Sequence, residues 1–482
     1  MTGPAASRRL DDRIAGPAVV ILTTLVIWSL WGGPDWVGTA AALLLPAVIA
    51  LQAIRVRAGR LIFFIVAIAL FFWAVLRVPD WTNPVMEALD RGAFIAAYFA
   101  ALATLRHAAD TSPSIKACGH FLAHQPPGRR YLALSIGAHL FALLLNYGAI
   151  GLLGNLAGAS AATEPDPAVR DIRKRRMLVA IQRGFGSMLP WSPLAFAAAI
   201  STTLIPGVSW AKALPYAVVS SFLLLVIGWG LDTIFKPRLP ARPAPPHTTT
   251  APVAPPAPSP TEGWRTTIPL AVLLVLLMSL TVSLHLSTGL RVTAIILPVV
   301  PLIAIGWVAL QGPAGHRAGH AARRAGNYVR VDLPPYRDEI LLMACSGFIG
   351  SLGAVLLGPL IAASGLDLTQ WPVWAVPVLL VWLIPLTGQL GANPLLSVML
   401  IYPIVPSPET LGVTPTTLFI AVTAGWSITA TSAPFTATAL LLGRFAGVSP
   451  FRVSWGWNGA YSLVSATALT IWVIIMAESG MG

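Results

Sequence analysis

Long apolar stretches recur along the chain, separated by short polar loops that carry most of its charge. About 20 apolar residues are the length a helix needs to cross the hydrocarbon core of a bilayer. The pattern therefore predicts an all-α polytopic membrane protein with about eleven transmembrane helices. The predicted spans lie near residues 17-33, 37-54, 61-78, 88-105, 177-205, 210-235, 266-286, 289-309, 339-362, 414-442 and 453-477.

Two further apolar stretches, 131-161 and 371-407, are too long for one span, and each is interrupted near its middle. Asn146 divides the first into two arms of 15 residues, and GQLGANP at 388-394 divides the second. A 15-residue helix rises only about 22 Å, which is short of the ~30 Å core. We therefore expect two re-entrant hairpins that enter the membrane and return to the same side.

The basic residues test this arrangement, because cytoplasmic loops carry the excess of Lys and Arg. With a cytoplasmic N-terminus and two returning stretches, cytoplasmic segments hold 26 basic residues and external segments hold 4. A single crossing by each stretch would give 14 and 16. The first arrangement is favoured, with the C-terminus outside the inner (plasma) membrane. The charge count does not distinguish a hairpin from a pair of full crossings, because both return the chain to the side from which it entered.

Composition agrees with a membrane protein: 56% of residues are hydrophobic and 10% are charged, against about 25% charged in soluble domains. The net charge of +13 lies in short loops, so it indicates orientation, and we expect no nucleic-acid partner. Cys118 and Cys345 are too far apart to indicate a disulfide framework or a metal site. His120 and His124, on a helix predicted at 111-125, have a spacing that allows a shared metal, but without further ligands a solvated face is favoured.

A Pro-rich segment, 237-264, is predicted to be a cytoplasmic linker between two halves that share one order of features. Each half has a span, an interrupted hairpin, a broken helix rich in Gly, Ser and Pro, and then Gly-Val-Ser. The first hairpin is predicted to open to the cytoplasm and the second to the outside, so the halves would be inverted repeats. Paired interrupted segments of this kind point to a transport site near the middle of the membrane.

The predicted domain bounds follow from this division. The first repeat is 86-236, with hairpin 131-161 and broken helix 177-205, and the second is 335-482, with hairpin 371-407 and broken helix 414-442. The remaining segments are predicted to be N-terminal scaffold helices at 1-85, and scaffold helices with a basic cytoplasmic loop at 265-334.

The order of hairpin, broken helix and Gly-Val-Ser resembles the ion transporter superfamily, nearest the divalent anion:sodium symporter and citrate-transporter-like families. Those families place Ser-Asn-Thr at each hairpin tip, before an apolar run that ends in Pro. QLGANPLLSVMLIYP (389-403) is similar to the second motif and LLLNYGAIGLLG (143-154) to the first. Both keep the Asn and lack the Ser and the Thr. The resemblance implies a homodimeric secondary active transporter, not an enzyme, in which hairpins and broken helices carry the substrate past a scaffold as an elevator.

The predicted site lies between the hairpin tips and the helix breaks, where non-helical backbone leaves unpaired polar groups. No Asp or Glu lies deep in these segments, which favours an anionic or neutral substrate over an organic cation. Because half-helix N-termini favour anions, we expect a small anion, with a carboxylate as the leading class. The predicted substrate-binding residues are Asn146, Tyr147, Gly148, Ser192, Pro193, Gly391, Ala392, Asn393, Pro394, Ser432 and Pro434. The predicted ion-binding residues are Asn146, Ser187, Asn393, Thr429 and Thr431. No cofactor is expected, and Na⁺ is a candidate coupling ion.

Several alternatives remain open at this point. His139 is either a proton relay or a packing histidine, and Arg183 either attracts the anion or extends to the membrane interface. A membrane-embedded lipid-processing enzyme would need convergent His or acidic groups near one face. A passive anion channel would show flux without saturation or ion coupling.

Overall fold

The computed structural model describes residues 10–56, 58–236, 264–365 and 367–482. Most of the predicted linker 237-264 lies outside them. Within these residues every regular element is helical. The first half contains α1 (Leu10–Leu30), α2 (Asp35–Ala53), α3 (Ala58–Arg77), α4 (Thr82–Asp110), α5 (Pro113–Ala123), α6 (Pro127–Leu145), α7 (Tyr147–Ala162), α8 (Pro167–Met188), α9 (Phe196–Leu204) and α10 (Trp210–Ile234).

The second half is also built of helices. It contains α11 (Ile268–Thr288), α12 (Val292–Gln311), α13 (Arg317–Asn327), α14 (Arg337–Ala363), α15 (Ala375–Gln389), α16 (Pro394–Ile401), α17 (Pro408–Leu411), α18 (Pro415–Ser432), α19 (Ala437–Ala446) and α20 (Gly459–Ser479). Two π-helical segments, Tyr328–Asp332 and Arg452–Trp457, precede α14 and α20.

The chain is an all-α, multi-pass membrane protein, as predicted. Among the described residues, eight helices are long and apolar enough to cross a membrane, and each corresponds to one of the eleven predicted spans. Spans 17-33 and 61-78 correspond to shorter apolar helices, Ile14–Leu30 and Leu61–Arg77. The predicted broken helix 177-205 corresponds to α8 and α9, and the predicted broken helix 414-442 corresponds to α18 and α19.

The charged segment 163-176 separates the predicted hairpin 131-161 from the predicted broken helix 177-205 and would be a loop by hydropathy, but α8 already begins at Pro167. The Asp166 carboxylate accepts hydrogen bonds from the backbone N–H groups of Ala168 and Val169. Asp before Pro is a strong helix-start signal, since Asp caps the free N–H groups and Pro needs no partner there. A prediction from hydropathy misses this signal, because it assigns a segment with so many charged residues to a loop.

The long helices α4 and α14 pack against each other, and α1, α2, α3 and α12 pack around them. Glycines allow the close approach: a Cβ on Gly347 would lie 3.2 Å from the Cα of Gly92 on the facing helix. Small residues bring membrane helices into contact in this way, because lipid supplies no hydrophobic drive for their association. This group joins helices of the predicted scaffold segments 1-85 and 265-334 to α4 and α14, which lie mainly in the predicted repeats.

Matching contacts recur in the two halves. The first hairpin arm α6 packs on α8, and its counterpart α15 packs on α18. A Cβ on Gly184 would meet the carbonyl oxygen of Ser135 at 2.2 Å, and one on Gly425 would meet that of Leu380 at 2.8 Å. Both glycines are therefore required where a hairpin arm crosses a broken helix. Each lies nine residues before the proline of its helix break, Pro193 or Pro434.

Candidate functional site

The turn between α6 and α7 is a single residue, Asn146, which ends one helix and starts the next. Its φ of 48° and ψ of −128° place it in a region that glycine favours, and it is the only non-glycine residue with positive φ in the described ranges. Its side-chain amide makes no hydrogen bond to any residue that the structure describes. The amide is therefore available to a ligand. The neighbouring Tyr147 ring stacks on Phe185 of α8, with centroids 5.1 Å apart.

The second turn, residues 390-393, is longer and is closed by its own hydrogen bonds. Gly391 has a φ of +89°, and the N–H of Ala392 donates to the carbonyl of Thr387 at 3.1 Å. The Oδ1 atom of Asn393 accepts from the N–H of Leu395 at 2.9 Å, so Asn393 caps α16, and Pro394 occupies the first helical position. Asn393 thus has a local structural role that Asn146 lacks.

The first helix break, between α8 and α9, is held by hydrogen bonds from outside it. The Tyr98 hydroxyl of α4 donates to the carbonyl of Pro193. The indole N–H of Trp210 donates to the carbonyl of Trp191 at 2.8 Å. Within the break, the hydroxyl of Ser192 accepts from the N–H of Leu194 at 3.2 Å. Backbone groups that leave the helix ladder therefore find partners here, as a low-dielectric environment requires.

A hydrogen-bond chain joins this break to the first hairpin. Trp191 Nε1 donates to His139 Nε2 at 3.0 Å, which leaves His139 Nδ1 to donate to the Ser187 hydroxyl at 2.8 Å. Ser187 in turn donates to the carbonyl of Gly184. A protonated His139 would present an N–H to the indole N–H, so this geometry holds a neutral histidine. It favours the packing interpretation of His139 over the proton relay.

The second hairpin turn lies against the second helix break. Gln389 donates to the Ser432 hydroxyl at 3.4 Å and accepts from the Trp455 indole at 3.1 Å. A Cβ on Gly391 would lie 3.8 Å from the ring of Phe435, which follows the buried Pro434. The structure therefore places Gly391, Ser432 and Pro434 in one region.

The predicted ion-binding hydroxyls are buried and already donate to protein oxygens. Thr429 donates to the carbonyl of Gly425 at 2.7 Å, and Thr431 donates to that of Ile428 at 3.1 Å. Thr431 also lies 3.2 Å from the Ser462 hydroxyl of α20. Donation to the preceding turn leaves oxygen lone pairs, which are the part of a hydroxyl that coordinates a cation.

The two broken helices meet just before their breaks. Gln182 of α8 donates to the carbonyl of Ala430 in α18 at 3.1 Å, and the Thr438 hydroxyl donates to the same carbonyl. A Cβ on Gly186 would lie 3.3 Å from Thr431 Cγ2. The break-bearing segments of the two halves are therefore in direct polar and van der Waals contact.

Arg183 has neither of its predicted roles, because its buried guanidinium is bound within the protein. It donates to Asn458 Oδ1 at 2.9 Å, to the Tyr131 hydroxyl at 3.2 Å, and to two backbone carbonyls, those of Gly228 and Trp457. It also lies over the ring of Tyr461, 4.6 Å from the centroid. Full hydrogen bonding explains why it does not extend to the interface.

Gln182 and Asn458 complete this network, and sequence reasoning missed both. Asn458 Nδ2 donates to Gln182 Oε1 at 2.9 Å and to the carbonyl of Val453 at 3.1 Å. Both residues are fully buried. An available signal was that each is an isolated amide inside an apolar span, where polar side chains bind helices together.

Arg106 of α4 is a third residue that sequence reasoning missed. A Cβ on Gly148, two residues after the first turn, would lie 3.1 Å from Arg106 Nε. That nitrogen is buried and has no hydrogen-bond partner within the described residues, and the guanidinium lies over the ring of Tyr336 at 5.4 Å. Asp110, at 3.8 Å, is its ion-pair partner. A cationic side chain of α4 thus lies beside the first hairpin turn.

His120 lies in the last turn of α5, and His124 directly follows the helix. His120 and His124 are stacked with ring centroids 3.9 Å apart, and His124 Nδ1 lies 2.8 Å from the carbonyl of His120. No cluster of three or more His, Cys, Asp or Glu suited to a metal occurs in the ranges that the structure describes.

The fold matches two solved transporters of low sequence identity. The YdaH transporter of Alcanivorax borkumensis has a TM-score of 0.53 and 17% identity, over 87% of this chain and 99% of that one. MtrF of Neisseria gonorrhoeae, described among a class of antimetabolite efflux pumps, has a TM-score of 0.55 and 13% identity, over 87% of this chain and 96% of that one. No family model and no curated protein matches the sequence.

At these identities the similarity to YdaH and MtrF shows a shared fold. The resemblance to the ion transporter superfamily, expected from the sequence, stays a prediction. The nearer resemblance, to the divalent anion:sodium symporters and citrate-transporter-like proteins, stays a prediction.

Proposed function

We propose that this protein is a secondary active transporter of a small anion, with a carboxylate as the leading substrate class. The observation that carries the proposal is the repeated unit of hairpin arm and broken helix, joined across the halves by the hydrogen bond from Gln182 to Ala430. Interrupted helices in paired repeats are the usual setting of a transporter's substrate site. The fold shared with two transporters supports the same conclusion.

The charges around the candidate site favour an anion over a cation. Arg106 lies beside the first hairpin turn. The half-helices α9 and α19 begin at the two breaks, where their free N–H groups carry partial positive charge. The segments 131-161, 183-204, 375-404 and 415-446 contain no Asp or Glu. An organic cation would meet no counter-charge there.

In the proposed mechanism, α6 to α9 and α15 to α19 move together past the helices around α4 and α14. Asn146 and Asn393 present the substrate with amides, and hydroxyls of Ser187, Thr429 and Thr431 offer lone pairs to a coupling ion such as Na⁺. The two halves would have inverted topologies, with one hairpin entering from each side. The protein would act as a homodimer.

Uptake into proteoliposomes tests the function directly. Purified protein is reconstituted and presented with a panel of labelled carboxylates and inorganic anions, with sodium and proton gradients imposed separately. We expect saturable uptake of at least one anion, driven by one of the two gradients. Flux that runs only downhill without saturation would instead identify a channel, and turnover of labelled lipid would identify an enzyme.

A further inference from the structure

A second cationic region lies away from the hairpin turns, at the base of the first hairpin. A partly open cavity of about 160 Å³ lies between the start of α6 and the first three turns of α8. Arg130, Arg173 and Arg176 line it together with Tyr131 and Glu164, and apolar side chains form the remaining wall. Three guanidiniums around one small cavity repel each other unless an anion lies between them.

Only one of these arginines is neutralised by the protein. Arg176 forms a bidentate pair with Asp232, at 2.9 Å from Nε and 2.6 Å from Nη2. Glu164 forms no ion pair with the lining arginines within the described ranges. Arg130 and Arg173 therefore remain as net positive charges facing the cavity.

These two arginines are held in place and retain free donors. Arg130 Nε donates to the carbonyl of Gln125 at 2.8 Å, and Arg173 Nη2 donates to the Ser160 hydroxyl at 2.9 Å. Arg173 Nε is buried and makes no hydrogen bond in the part of the chain that is described. Arg130 precedes the apolar stretch 131-161, and burial together with the charges of Arg173 and Arg176 lowers its pKa to about 10. An anion in the cavity would relieve both the repulsion and the unpaired donor.

We propose that this cavity is a binding site for a phosphate-bearing anion, which Arg130 and Arg173 hold through charge-assisted hydrogen bonds. Guanidinium forks match the geometry of phosphate oxygens. By the distribution of basic residues the cavity faces the cytoplasm, where basic pockets between helices bind anionic headgroups. The phosphate belongs either to an anionic phospholipid or to a soluble phosphate compound.

Binding to the purified full-length protein tests the proposal independently of transport. The protein is titrated with phosphatidylglycerol, phosphatidylcholine, glycerol 3-phosphate and inorganic phosphate, and binding is followed by native mass spectrometry and by the shift of the unfolding temperature. Saturable binding of phosphatidylglycerol alone supports a lipid site. Binding of glycerol 3-phosphate or inorganic phosphate supports a soluble ligand. Binding by none of the four probes overturns the proposal.

Three variants and one control assign the binding to this cavity. Arg130→Gln and Arg173→Gln each weaken the affinity about tenfold, the scale of one charge-assisted hydrogen bond. Arg129→Gln removes the same charge from the adjacent exposed residue and leaves the affinity unchanged. Glu164→Gln removes the lining carboxylate and tightens binding, a gain that misfolding does not produce. Equal weakening by Arg129→Gln, or no change in the other three variants, overturns the assignment.

Discussion

At the residue scale, Asn146 combines two features that single residues seldom share. It adopts a φ of 48°, which costs a non-glycine residue on the order of 1–3 kcal/mol, and its amide has no partner among the described residues. Strained backbone of this kind is concentrated at binding and switch sites. We infer that asparagine is present here for its amide, since glycine would make the turn at lower cost.

Replacing Asn146 with Gly therefore separates the two roles. We expect Asn146→Gly to leave the unfolding temperature unchanged or higher, because glycine relieves the strain, and to abolish uptake, because the amide is lost. Asn146→Ala should lose both uptake and stability. Proteoliposome uptake and thermal unfolding of each variant measure this. Normal uptake by Asn146→Gly would show that Asn146 serves only the turn.

Arg106 gives a second prediction at this scale. If its guanidinium attracts the anion at the first turn, Arg106→Gln should raise the KM for uptake about tenfold, the scale of one charge-assisted hydrogen bond. Arg129→Gln, at an exposed position, is the matched control and should leave the KM unchanged. A KM for Arg106→Gln equal to that of the control would remove Arg106 from the site.

At the element scale, the crossing of each hairpin arm over its broken helix depends on one glycine. The carbonyl of Ser135 occupies the space beside Gly184, and the carbonyl of Leu380 occupies the space beside Gly425. Backbone atoms cannot rotate away as side chains do, so an added methyl group must separate the two helices. The equivalent positions of these glycines support the proposed repeat.

Gly184→Ala and Gly425→Ala should each destabilise the protein by about 1–3 kcal/mol, the usual cost of overpacking. The effect should be larger for Gly184, where the contact is shorter, 2.2 Å against 2.8 Å. Gly151→Ala, in α7 with no atom within 4 Å of the added Cβ, is the control and should be neutral or stabilising. Thermal unfolding in detergent measures all three. Equal stability in Gly184→Ala and Gly151→Ala would contradict the crossing.

At the scale of the whole molecule, the Arg183 network connects the halves. Arg183 and Gln182 of α8 both bind Asn458, and Gln182 also binds Ala430 of α18. A hydrogen-bonded arginine can be buried without a carboxylate when dipoles and an aromatic face solvate it. The network therefore fixes one helix break relative to the other.

Removing the guanidinium leaves several buried acceptors unsatisfied, at about 1–3 kcal/mol each. Arg183→Met should therefore lower the stability by about 3 kcal/mol or more. Arg183→Lys should restore only part of this, because an ammonium cannot match the planar fork. Thermal unfolding compares both with the wild type, and wild-type stability in Arg183→Met would rule out a structural role for the network.

The proposed elevator movement makes a further prediction at this scale. A cysteine pair at 353 and 400 joins α14 to the second hairpin, where Leu400 lies 3.0 Å from a Cβ on Gly353, whereas a pair at 154 and 445 joins two parts of the moving unit, where Phe445 contacts Gly154. Bridging with Hg²⁺ should stop uptake in the first pair and spare it in the second. The native Cys118 and Cys345 are buried, so wild-type protein with Hg²⁺ is the control. Full uptake with the first pair bridged would argue against the movement.

Much of the architecture follows from hydropathy alone, because burial in lipid demands long apolar helices whatever their neighbours are. That requirement explains why eight of the predicted spans appear as long apolar helices, and why the two stretches too long for one span are each interrupted, at Asn146 and at residues 390-393. It failed at 163-176, where the local capping chemistry of Asp166 and Pro167 outweighs charge.

Local pattern by itself thus determined the helical class, the membrane setting, and the positions of the turns and breaks. Only the tertiary structure decided what the polar residues do. In the folded protein Arg183 binds Asn458, His139 binds Trp191, and Arg106 lies beside the first hairpin turn. The physical reason is range: hydrophobic burial and helix capping act within a few residues of sequence, whereas a buried polar group takes whichever partner the packing of distant helices brings within about 3 Å.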